Sequence, residues 1–192
     1  MSTIAVVSKK QPQQISFNEK EFESIMTRPL TIGQSPAGLV VSSQRDQIEA
    51  IAGGNKINIR DLSGKTDFSQ SRIPAVLDFF IQKTVFQISS YGVNFIVSVP
   101  CKEPAQWIRD NILAPNLPQK LGKTILGGTA LLNIASEPKR WNIRLEPSDG
   151  DTINLDFNAS EITSQLPGKE RLCDELREQF IGLHQFVNDL GL

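Results

Sequence analysis

Histidine is almost missing from this chain: His184 is the only one in 192 residues. A catalytic histidine needs a nucleophile on one side and an orienting acid on the other. The sequence has no Gly-x-Ser-x-Gly to supply the nucleophile. Cysteine is equally scarce. Cys101 lies beyond a strand-like run and Cys173 lies in a helical pattern, at no metal or redox spacing. One histidine and two distant cysteines do not make a zinc site, and the two thiols read as buried and free. Excess charge is also lacking. Twenty Lys and Arg against 21 Asp and Glu leave a net charge of −1, so no global field draws the protein to nucleic acid or an anionic membrane. No stretch approaches the ~20 apolar residues of a membrane span. Ile4 to Val7 is too short for the apolar core of a leader and has no basic segment before it. The expectation is a cytoplasmic protein. Asn158-Ala159-Ser160 matches a glycosylation sequon and is discounted on the same ground.

What is present is a composition with 39% hydrophobic and 21% charged residues, which suits a globular fold with a real core. The chain opens on a short strand at Ile4 to Val7. A short helix is expected over Ile15 to Met26, capped by Asn18, with Glu19 and Glu21 in its first turn. Residues 33–38 read as a loop, and residues 1–38 are set apart as an N-terminal extension.

A strand–strand–strand–helix order then follows. Leu39-Val40-Val41 is β-rich, and Ile48, Ala50 and Ala52 share one face of a second run. Gly53-Gly54-Asn55 tolerates positive φ, as a hairpin turn demands. Lys56 to Leu62 alternates apolar and polar residues. A helix starts around Pro74, a residue suited to a first turn. Val85 to Val99 is strand-rich, with a bend or bulge expected at Gly92. Glu103 to Leu113 reads as a helix.

The same order recurs from Thr129. Ala130 to Ile134 is a strand, and Arg140 to Phe157 is a hairpin around a Pro-Ser-Asp-Gly turn. A long amphipathic helix covers Lys169 to Leu190. Its apolar residues Leu172, Leu176, Phe180, Leu183, Val187 and Leu190 form one stripe of about 80°. Setting Ile57 against Ile153 brings Ile59 onto Leu155, Val76 onto Leu172 and Phe80 onto Leu176, without a gap. The expected architecture is α+β: duplicated β-β-β-α units, a largely antiparallel sheet and a long C-terminal helix. The first unit spans 39–113 and the second 114–192.

Few constellations carry chemistry. Gly122-Lys123-Thr124 looks like the end of a phosphate-binding loop, but Leu117 stands where the motif needs its first glycine. Asp149 and Asp151 flank Gly150 and are explained by turn geometry. No catalytic, metal or cofactor residues are assigned. Two surfaces remain. On the last helix Ile181 falls opposite the apolar stripe, with His184 at its margin, so Ile181, His184 and Phe186 are the candidate protein interface. On the strands, Lys56 and Arg60, and Arg140 and Arg144, occupy polar faces that could track a phosphate backbone.

Three segments resemble a sporadically distributed bacterial family of uncharacterised proteins. Ile88 to Phe95 resembles its strand with an aromatic residue and an asparagine, although Ser90 stands in place of a central arginine. Ile153 to Phe157 resembles its late strand with an aspartate, and Leu176 to Phe186 its closing helix with a Leu-His pair. The resemblance implies a fold and no activity. The functional expectation is a non-enzymatic interaction or assembly protein, self-associating or a subunit of a complex. The alternative is a nucleic-acid-binding module.

Overall fold

A computed structural model describes residues 1–10, 19–84, 86–114, 116–121, 124 and 126–192. In chain order the elements are β1 (Ser2–Ser8), α1 (Glu19–Phe22), β2 (Leu30–Ser35), β3 (Gly38–Ser43), β4 (Ile48–Gly53), β5 (Lys56–Asp61), α2 (Ile73–Lys83) and β6 (Ile88–Pro100). Then come α3 (Pro104–Asn111), α4 (Leu117–Leu121), β7 (Ala130–Ser136), β8 (Lys139–Ser148), β9 (Thr152–Ile162) and α5 (Lys169–Asp189). Among the described residues nine strands form one antiparallel sheet in the order β2-β3-β4-β5-β1-β6-β9-β8-β7. The fold is α+β, as expected.

The alternating strands do what their pattern dictates. Ile153, Leu155, Phe157 and Ala159 of β9 are buried, with polar residues between them. Ile143 and Leu145 of β8 pair with Phe157 and Leu155. Across the sheet, Ile57 and Ile59 of β5 stand opposite Val6 and Ile4 of β1. All of these join one apolar cluster with Phe22, Val76, Leu77, Phe80, Ile108, Leu172, Leu176 and Leu183. Burying each such large side chain contributes about 1.5–3 kcal/mol. One face of the sheet is thus covered by helices. A triangle of Phe68, Phe95 and Phe180, with centroids 5.4–5.8 Å apart, seats α5 on β6.

Both expected turns are present. β4 and β5 are joined through Gly54 at φ 57°, and β8 and β9 through Gly150 at φ 84°. Pro74 lies in the first turn of α2. Cys101 and Cys173 are buried and unbridged, and burial pushes both thiols up. The cap expected at Asn18 falls outside the described residues, as do Gly122 and Lys123.

Three findings differ from the sequence reading. Residues 1–38 are not an appendage. They supply β2 at one edge and β1 in the middle of the sheet, between β5 and β6. β6 does not bulge at Gly92: the register runs straight through Ala5↔Gly92 and Gly92↔Ser160. The shift falls between Val7 and Ser8 instead. Gly92 serves close approach, because a Cβ there would lie 3.0 Å from the Ala159 carbonyl oxygen. Finally, the first meander has four strands, β2 to β5, and the second has three, β7 to β9.

Read from either edge, the sheet presents a meander and then a central strand, and each meander is followed in sequence by a helix, α2 or α5. Ile57, Ile59, Val76 and Phe80 are all buried, and so are Ile153, Leu155, Leu172 and Leu176.

Candidate functional site: the helix-free face and the β7 edge

Period two assigns every second strand residue to the face away from the helices. On that face β5 presents Lys56, Asn58 and Arg60, and β8 presents Arg140, Asn142 and Arg144. The four cations expected on polar faces therefore share one surface of one sheet. β5 and β8 are four strand steps apart in the sheet order, about 19 Å at the usual strand spacing. The charge between them is mixed. Arg60 pairs with Glu49 at 3.1 Å and Arg144 with Glu146 at 3.0 Å. Asp156 stands opposite Arg144 in the β8–β9 register.

The register also builds a feature that is invisible in the linear sequence. Asn94 pairs with Asn158, Asn158 with Asn142, and Asn142 with Asn133. Four asparagines stand in a row across β6, β9, β8 and β7. Each amide can both donate and accept. Among the described residues, Asn94 Oδ1 and Asp156 Oδ1 are the buried side-chain oxygens left without a partner, and both belong to this face. No sequence signal announces the row, because it depends on three separate pairing registers.

The row ends at β7, which among the described residues pairs only with β8. Leu131 is 63% exposed and Ile134 44%. The segment Ala-Leu-Leu-Asn-Ile-Ala-Ser carries no charge and no proline. The opposite edge, β2, is bounded by Pro29 and Pro36 and interrupted by Gly33.

The candidate interface residues on α5 divide. Ile181 is 58% exposed, and at three and four residues its neighbours are Arg177, Glu178, His184 and Gln185. His184 is exposed and stands edge-on to Phe180, 4.6 Å between centroids. Phe186 turns inward and packs against the core. The structure thus brings Ile181 and His184 together and separates Phe186 from them.

Under α5 lies a polar cluster. Glu175 is only 4% exposed. It accepts from Lys139 Nζ at 2.6 Å, Gln179 Nε2 at 3.0 Å and Arg171 at 3.2 Å. Tyr91 donates its hydroxyl to Glu161 at 3.5 Å, and burial, with the charges of Glu175 and Glu161, pushes that phenol far up. Among the described residues no buried side-chain nitrogen or oxygen of this cluster lacks a partner, so the cluster fastens α5 to the second meander.

A polar cavity of about 230 Å³ lies at the other end, lined by Arg45, Asp46, Asp61, Lys65, Asp67 and Arg72 among others. Opposed charges already occupy it: Asp46 accepts from the Thr27 backbone N–H at 2.5 Å and from Arg72 at 3.0 Å. Asp149 and Asp151 sit at a turn, while Asp156 lies on the open face, so the three carboxylates do not converge. Among the described residues no group of three or more His, Cys, Asp or Glu is placed to hold a metal ion, and no helix is long and apolar enough to cross a membrane. Comparison with family models, curated proteins and solved structures finds no match.

Proposed function

We propose that this is a non-enzymatic interaction protein of the cytoplasm, built by duplication of a meander-plus-helix unit, that works by self-association or as a subunit of an assembly. The carrying observation is the free edge of β7, which exposes Leu131 on one face of the sheet and Ile134 on the other. Unpaired strand edges are templates for another chain. Ile181 on α5 is the rival contact, but charged and polar neighbours surround it, and scattered single hydrophobes are ordinary on a surface. Size-exclusion chromatography with light scattering tests the reading. The expected result is a dimer or larger species at micromolar concentration. A monomer that shows no concentration dependence counts against self-association.

A second reading is favoured by one specific observation: Lys56, Arg60, Arg140 and Arg144 share the helix-free face with the asparagine row. Cations fixed on a polar sheet can contact phosphates while amides meet base edges. Each of Arg60 and Arg144 already has a carboxylate partner, which weakens the field they offer an incoming polyanion.

A further inference from the structure

We infer that the free edge of β7 pairs with β7 of a second copy of this chain, antiparallel, about a twofold axis through Asn133. The inference rests on the self-association reading above and names its surface. Asn133 is the middle residue of the seven-residue strand Ala130–Ser136. A strand paired to its own copy in the antiparallel sense must be centred on a dyad. With Asn133 opposite the partner's Asn133, Leu132 meets the partner's Ile134 on the helix side. Leu131 meets the partner's Ala135 on the open side. Each exposed apolar side chain of β7 gains an apolar neighbour, and no charge is buried.

The occupant follows from complementarity at three levels. Among the described residues the backbone of β7 bonds on one side only, to β8. Its other row of N–H and C=O groups fits any extended chain. The uncharged, proline-free sequence lacks the devices that keep edges apart; β2 at the other edge is likewise uncharged, but Gly33 interrupts it and Pro29 and Pro36 bound it. The asparagine row selects the same chain over an unrelated peptide. Pairing centred on Asn133 places the partner's row in line with this one, so the amide series from Asn94 to Asn133 continues across the dyad to the partner's Asn94. At the dyad the two Asn133 amides stand directly opposite, and each has a donor and an acceptor for the other.

Asn133 is exposed, so substitutions there leave the core intact, and a thermal melt of each variant checks this. The wild type is expected to be a dimer by light scattering. Asn133→Lys and Asn133→Glu each place like charges opposite one another at the dyad, and each is expected to be monomeric. An equimolar mixture of the two is expected to recover the dimer, because the charges then oppose in sign. In a separate arm, Asn133→Cys is expected to form an intermolecular disulfide under mild oxidation. Directly opposed residues of an antiparallel pair have Cα atoms about 4.5–5.5 Å apart, within disulfide reach. If both charged variants stay dimeric while Ile181→Asp is monomeric, the edge pairing is overturned and self-association stands. If the wild type is monomeric at all accessible concentrations, both are overturned.

Discussion

Trp141 donates its indole N–H to the Gln179 side-chain oxygen at 3.0 Å, tying the start of β8 to the middle of α5. Gln179 is 7% exposed, so its oxygen has little water to turn to. Trp141→Phe keeps most of the packing and removes the donor. The expected loss is about 1–2 kcal/mol, the cost of leaving a buried acceptor unpaired. Glu175→Ala removes the acceptor shared by Lys139, Arg171 and Gln179 and is expected to cost about 2–3 kcal/mol, since these are charge-assisted bonds. Urea unfolding curves check both. Equal stability of all three proteins would mean that α5 is held by its apolar stripe alone.

Asp46 gives the first loop region a pH-dependent tie. Burial works to raise this carboxyl, but the Thr27 backbone and side-chain hydrogen bonds, the Arg72 charge and the Ser43 hydrogen bond outweigh it and hold it below its ordinary value of 3.8. A carboxyl depressed in the folded state stabilises above its unfolded value and loses that contribution as pH falls through the folded one. Asp46→Asn is therefore expected to cost about 2 kcal/mol at neutral pH. The difference from wild type should shrink steadily below pH 3.8. Thermal melts across pH 2 to 7 would show it; a difference independent of pH would assign the effect to shape rather than charge.

Gly53 and Gly54 are adjacent and opposite in tolerance. A Cβ on Gly53 would overlap the carbonyl of Ala37, where β2 turns into β3. A Cβ on Gly54 meets nothing, and only its φ of 57° disfavours a side chain. Gly53→Ala is expected to cost about 3 kcal/mol through backbone displacement. Gly54→Ala should cost about 1 kcal/mol for the left-handed conformation. Paired denaturation curves distinguish the two.

If the helix-free face holds nucleic acid, each phosphate-contacting cation contributes to the salt dependence. Replacing Arg140 and Arg144 by alanine should weaken oligonucleotide binding and lower the slope of log affinity against log salt by about 2. Fluorescence anisotropy at low salt is the measurement. Absence of any binding by the wild type in that condition removes this reading.

The elements with strong local signals were legible in the sequence. The β4–β5 and β8–β9 hairpins, the proline-started α2 and the six-residue apolar stripe of α5 all follow from spacing and turn residues. So did the common face of Arg140, Asn142 and Arg144, because strand periodicity alone decides it. What failed to show depends on distant pairing. β1 has only four consecutive apolar residues and gains its central place from partners at residues 56–61 and 88–95. β2 is a weak strand former, with Gly33, Gln34 and Ser35, and is held by its register with β3. The glycine at 92 signals close contact or distortion equally well until its neighbour, Ala159, is known. The asparagine row and the exposed β7 edge require the full strand order.

The central position of β1 also sets a schedule. Its two neighbours lie far downstream, and the second, β6, is complete only at Pro100. At the usual ~5–20 residues per second of synthesis, β1 waits on the order of 5–20 s for its second neighbour. Until β5 is complete at Asp61, Ile4 and Val6, both fully buried in the finished protein, have no partner strand. From then until β6 is made, β1 is the open edge of a five-strand sheet, β2-β3-β4-β5-β1, and it is the second pairing, not the first, that closes it.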